Sequence, residues 1–248
     1  MYMIHNFSYC YLHKFEYSGW PLSILNPTYG WYRADSVGWN STANLLYDIS
    51  GNNNHANTGG NISLIVESGN GATAKLGYLR GGTSSTVLWP KGSIPFDFTI
   101  CSVTRCVEGG KMRRILAGTL LSNWFHGHVG SLPGSVGQIR GIAYYGVRKT
   151  PIVYLGLWTH WLVMCGKNGG STPNNILVDG VASGSSAGGV SNSSLCINAN
   201  PLSASDWAFR ELMIWNSSLS DADMVVASTA LLKSLNDQVL IMMFLLIW

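Results

Sequence analysis

The chain has 248 residues, of which 11% are charged and 11% aromatic, and 29 are glycine. A chain of this length buries a sizeable core without dense cross-linking, and the composition suits a sheet protein rich in turns better than a charge-laced helical one. Its formal net charge of +3 comes from 15 Lys and Arg against 12 Asp and Glu. The only local basic cluster is Lys111 with Arg113 and Arg114, far from the basic stripe of a phosphate-backbone binder, so nucleic acid is not an expected partner.

Met1 to Asn26 is rich in aromatics without a clear period and ends at the breaker Asn26-Pro27. Residues 1–29 are read as an aromatic N-terminal extension, residues 30–236 as the domain proper and residues 237–248 as an apolar tail. His13, Lys14 and Glu16 interrupt the N-terminal segment, so no cleavable signal peptide is visible. Asn-X-Ser/Thr acceptor sequences begin at Asn6, Asn40, Asn61, Asn192 and Asn216, a weak pointer to glycosylation. An extracellular, surface or assembly-associated location is favoured.

The domain opens on an aromatic strand, Gly30-Trp31-Tyr32-Arg33-Ala34-Asp35, and a polar turn follows from Asn52 to Gly60. Gly69-Asn70-Gly71 and Gly81-Gly82 punctuate the next stretch as turns between short strands. From Phe96 to Arg105 the residues alternate, placing Phe96, Phe98 and Ile100 on one face of a half-buried strand. Short strands are expected at 114–117, 123–128 and 141–145, and a more apolar one at 158–165 in the middle of a sheet. Asp179-Gly180 between apolar residues supplies the positive φ angles of a tight hairpin over 175–182. After a Ser/Gly-rich loop, 183–194, the last strand runs from Asp206 to Asn216. Ser220-Asp221-Ala222-Asp223 caps a helix over about 220–236, with Met224, Ser228, Leu231 and Leu235 at helical spacing.

The five cysteines, Cys10, Cys101, Cys106, Cys165 and Cys196, lack metal-ligand spacing and are read as buried thiols, with one disulfide left open. Cys101 and Cys106 lie an odd number of residues apart on one strand, so they face opposite ways and are poorly placed to pair with each other. Residues 239–248 are all apolar, but a membrane-spanning helix needs roughly 20 such residues. The tail is therefore expected to pack on the domain, or to make a membrane or assembly contact.

In this order, the strand Trp31 to Asp35, the turn Asp48 to Ala56, Phe98-Thr99-Ile100, the Trp158 to Val163 strand, Leu177-Val178-Asp179-Gly180 and Glu211 to Trp215 before Leu219 to Met224 resemble the laminin-G-like branch of the concanavalin A-like lectin and glucanase superfamily. The resemblance implies an all-β fold, a two-sheet antiparallel jelly-roll sandwich with one short C-terminal helix. It further implies non-catalytic binding of glycans or proteins, with calcium at a rim in some members.

Hydrolases of that superfamily place paired carboxylates on one strand face, because retaining cleavage needs them about 5 Å apart. The four glutamates, Glu16, Glu67, Glu108 and Glu211, are far apart in sequence, and Asp206 and Glu211 are expected on opposite strand faces. A glycosidase of that type is disfavoured, and no enzyme activity is expected. Trp124, Tyr144 and Tyr145, beside His126 and His128, are the candidates for a glycan platform, since aromatic rings stack on sugar faces; core packing is the competing reading. His126 and His128 would also offer two imidazoles on one strand face to a metal. Asp48, Asn52 and Asn54 provide oxygens of the kind calcium prefers, and the alternative is that they only make their turn. The function expected is lectin-like recognition of a carbohydrate or a protein surface. The alternative is an accessory subunit of a virion or membrane-associated assembly, docked through its ends.

Overall fold

The computed structural model describes residues 26–119, 124–130, 139–145, 157, 159–169, 175–183, 193–200 and 204–236. The N-terminal extension up to residue 25, most of the Ser/Gly-rich loop and the apolar tail lie outside them.

Two antiparallel sheets pack face to face. The first contains β1 (Gly30–Arg33), β5 (Ile62–Gly69), β6 (Ala72–Gly81), β8 (Thr99–Cys106), β12 (Leu162–Lys167), β13 (Ile176–Val178), β14 (Val181–Ala182) and β16 (Trp207–Trp215). Its order is β14-β13-β12-β8-β16-β6-β5, with β1 also paired to β16. The second sheet contains β2 (Trp39–Asn40), β3 (Leu45–Leu46), β4 (Ala56–Gly59), β7 (Thr86–Leu88), β9 (Leu116–Gly118), β10 (Trp124–Val129), β11 (Ile139–Tyr145) and β15 (Leu195–Ile197), in the order β11-β10-β9-β15-β7-β4-β3-β2. One helix, α1 (Asp221–Asn236), lies on the outer face of the first sheet. The described residues therefore form a β-sandwich with one helix after its last strand.

Two apolar layers hold it together. Between the sheets, Tyr32, Leu79, Trp89, Phe98, Trp124, Tyr145, Leu162, Phe209 and Leu212 form one core. Between the first sheet and α1, Cys101, Val103, Cys165, Met213 and Trp215 pack with Met224, Ala227, Leu231 and Leu235. This second layer corrects the expectation of a half-buried strand. Every residue of β8 is buried, because the helix covers the face that would otherwise meet water. Phe96 precedes the strand and is 75% exposed.

Locally encoded features form as the sequence dictates. Asp179 and Gly180 adopt φ of 48° and 79° between β13 and β14, the pair of positive angles that a two-residue hairpin turn requires. The Ser220 hydroxyl accepts the Asp223 N–H at 3.1 Å at the head of α1, satisfying an otherwise unpaired helix donor.

Two features are not local. Cys101 and Cys165 are register partners on β8 and β12 and form a disulfide, whereas Cys106 and Cys196 are buried free thiols. The free-thiol expectation is thereby corrected for one pair. Cys101 and Cys106 do face opposite layers. In β16, the pairing with β8 skips Arg210, so that Phe209 faces Thr104 and Glu211 faces Val103. This bulge resets the alternation and turns Glu211 to the face of Ala208 and Val103. That is also the side on which Asp206 meets Val107, so the two carboxylates do not fall on opposite faces.

Candidate functional site

Beyond the patch covered by α1, the outer face of the first sheet ends in a polar cleft of about 500 Å³. Ser63 and Arg80 are opposite each other on the β5–β6 hairpin and form its floor. Asn61 stands at one rim, and the turn from Val107 to Gly110 forms the facing wall with Asp206.

The frame of the cleft is built by hydrogen bonds. Asp206 clamps the turn, its N–H donating to Lys111 O at 2.7 Å and its Oδ2 accepting the Lys111 N–H at 2.5 Å. Beneath it, the Asn198 amide donates to the carbonyls of Gly82, Ser85 and Ser205, and its Oδ1 accepts the Ser205 N–H at 2.8 Å. One side chain thus ties the 82–85 turn to the segment that leads into Asp206. Gly81 lets these layers approach, since a Cβ there would stand 2.5 Å from the Trp207 ring.

The lining is left available. Among the described residues, the side chains of Asn61, Ser63, Arg80 and Glu108 make no hydrogen bond or ion pair within the protein, and all four are exposed. Arg80 brings five N–H donors, Asn61 and Ser63 both donate and accept, and the Glu108 carboxylate accepts. Among the described residues, no aromatic ring lines the cleft. The sequence marks Asn61 and Ser63 only as a glycosylation acceptor and Glu108 only as one of four scattered glutamates, and it gives no sign that they meet Arg80. The other local trace is the pair of Gly-Gly doublets, Gly81-Gly82 and Gly109-Gly110, which line the site.

The aromatic set expected to meet a sugar is placed elsewhere. Trp124, His126, His128 and Tyr145 are each at most 1% exposed, so their rings are not presented at the surface. Trp124 and Tyr145 are register partners stacked with centroids 5.1 Å apart, and Phe98 meets Tyr145 edge-on at 5.0 Å. His126 links the sheets, with Nε2 3.2 Å from Met164 O and Nδ1 2.5 Å from the Tyr145 hydroxyl. Because a carbonyl only accepts, Nε2 carries the proton and Nδ1 accepts from the phenol. Burial pushes this imidazole down to about 4, so it is neutral near pH 7. His128 Nδ1 lies 3.3 Å from Thr104 Oγ1. Tyr144 alone of the set is partly exposed; it stacks on Phe125, whose ring also carries the Arg114 guanidinium.

The oxygens suited to calcium are likewise spoken for. Asp48 Oδ1 accepts from Trp31 N–H, Ser50 N–H and the Ser50 hydroxyl, and Oδ2 accepts from Asn54 N–H. The Asn52 amide donates to Pro27 O and Ser50 Oγ, and the Asn54 amide donates to Tyr29 O. These residues tie the turn to β1. Among the described residues, no group of three or more His, Cys, Asp or Glu side chains is arranged to hold a metal.

No protein-family model matches the chain, and no curated protein matches it. Solved structures do resemble it. Domain 4 of AbnA, a GH43 extracellular arabinanase from Geobacillus stearothermophilus solved in complex with arabinotriose, matches with a TM-score of 0.52 and 14% identity over 82% of this chain and 98% of that one. A mutant of HCR/D matches with a TM-score of 0.50 and 13% identity over 84% of this chain and 53% of that one. The chain thus spans nearly all of the first neighbour and about half of the second. At such identities the likeness is one of fold.

Proposed function

We propose that this protein is a non-catalytic, lectin-like recognition module, of the laminin-G-like or concanavalin A-like kind, that takes a carbohydrate or a protein surface in the cleft. The observation that carries the reading is the convergence there of four polar side chains with no partner among the described residues. Elsewhere the polar turns are tied down by their own hydrogen bonds, as at Asp48 and Asn198. Groups left unpaired on a rigid, concave frame are the feature by which polar ligands are oriented. The neighbour solved with arabinotriose supports the carbohydrate branch of the reading. The Cys101–Cys165 disulfide supports an oxidising compartment.

Catalysis is the less favoured reading of the same cleft, although two carboxylates border it. Retaining and inverting hydrolysis both need one carboxylic acid kept protonated by its surroundings. Glu108 is exposed on a turn, and Asp206 already accepts a backbone N–H. Isothermal titration against a glycan panel, with reducing-end assays on the same sugars, tests the proposal. Binding without cleavage is expected; cleavage abolished by Glu108→Gln would replace it with a hydrolase.

A further inference from the structure

Resting on the recognition reading, we infer that the cleft selects an uncharged, hydroxyl-rich sugar chain, with Arg80 and Glu108 acting as its paired donor and acceptor. Each sugar hydroxyl can donate one hydrogen bond and accept others. A complementary wall must therefore hold donors and acceptors side by side. The cleft does so: Arg80 offers only donors and Glu108 only acceptors, while Asn61 and Ser63 on the same side offer both.

Charge decides against anionic ligands. Among the described residues of the lining, one guanidinium, Arg80, is set against two carboxylates, Glu108 and Asp206. A uronic-acid or sulfated chain would meet that excess of carboxylates unfavourably. Apolar ligands find little purchase, because Val107 is the one large apolar side chain among the described lining residues and it is 6% exposed. The described lining residues offer no ring to stack on, so recognition runs through hydrogen bonds, and single sugars bind more weakly than chains that extend across the floor.

The inference is tested on the full chain by isothermal titration and by amide-shift mapping with arabinotriose, mannotriose, cellotriose and trigalacturonate. At least one neutral trisaccharide is expected to bind and to shift the amides of residues 61–63, 80–82 and 107–110, while trigalacturonate binds at least tenfold more weakly. Arg80→Ala and Glu108→Gln, both at exposed positions, should each weaken the neutral sugar at least tenfold without changing the thermal midpoint. Tighter binding of trigalacturonate, lost in Arg80→Ala, would overturn the neutral-ligand assignment and leave the recognition reading standing. Sugar binding unmoved by both substitutions would remove the cleft as the site. No shift at the cleft with any of the four sugars, together with no heat of binding, would overturn the ligand class and the carbohydrate branch of the recognition reading together.

Discussion

The Tyr145 hydroxyl donates to Nδ1 of His126 across adjacent strands, while the other nitrogen of the same ring reaches Met164 O on the facing sheet. One neutral imidazole therefore joins both layers of the sandwich. Burial holds its pKa at about 4, below the ordinary 6.5. In the unfolded chain the ring takes a proton first as pH falls, so between about 6.5 and about 4 the unfolded state binds more protons and stability declines on acidification. The full effect is on the order of 3 kcal/mol. Urea midpoints at pH 7.5 and 4.5 should show the decline, and His126→Gln should reduce it while lowering stability at pH 7.5. An unchanged acid slope in the variant would contradict the account.

Trp124 and Tyr144 occupy opposite faces of the same strand pair and should respond differently to truncation. Trp124→Ala empties a site enclosed by Phe98, Tyr145 and His126 and should cost about 3–5 kcal/mol, as large aromatic deletions in cores do. Tyr144→Ala removes a partly exposed ring and should cost well under half of that. Thermal midpoints and soluble yield measure the contrast. A stable Trp124→Ala variant with selectively weakened glycan binding would return that ring to the surface.

The Cys101–Cys165 bridge closes a sequence separation of 64 residues, and chain-entropy reasoning gives a stabilisation of about 4 kcal/mol. The double variant Cys101→Ser/Cys165→Ser should fold with a lower midpoint by denaturant titration, because β8 and β12 keep their ladder. Cys106 and Cys196 offer a control. Burial pushes their thiols up to about 12 and about 11, so both should resist a thiol reagent until the protein unfolds. Rapid labelling of either in the native state would be inconsistent with the packing.

What the sequence disclosed follows from the range of the interactions involved. The Asp179-Gly180 turn and the Ser220 cap depend on residues within four positions of each other, so their chemistry is readable in place. The Cys101–Cys165 pairing depends on which strands become neighbours, and the Glu211 orientation on a bulge at Arg210; alternation rules see neither. The central strand looked half-buried because period-2 patterning reports one sheet face and is silent about a helix arriving on the other. The cleft was the least legible feature. Asn61, Ser63 and Arg80 come from one hairpin region, Glu108 from a turn and Asp206 from the head of a distant strand, and each is ordinary on its own. Aromatic residues drew attention to β10 and β11 instead, where Trp124 and Tyr145 are buried between the sheets.

Asp48 is 6% exposed and accepts four hydrogen bonds, three of them from backbone N–H groups of Trp31, Ser50 and Asn54. Asp48→Ala leaves those donors without their acceptor and should cost about 2–4 kcal/mol, since each buried, unpaired donor is penalised. Asp48→Asn keeps one acceptor oxygen and should fall between the two. The same geometry predicts the response to calcium, because an ion at this turn would have to displace the N–H groups from the carboxylate. Thermal midpoints of the wild-type protein should therefore agree in millimolar calcium and in excess chelator. A ligand that binds only the folded state raises the midpoint with concentration, so a calcium-dependent rise that disappears in Asp48→Ala would show that the turn opens to receive the ion.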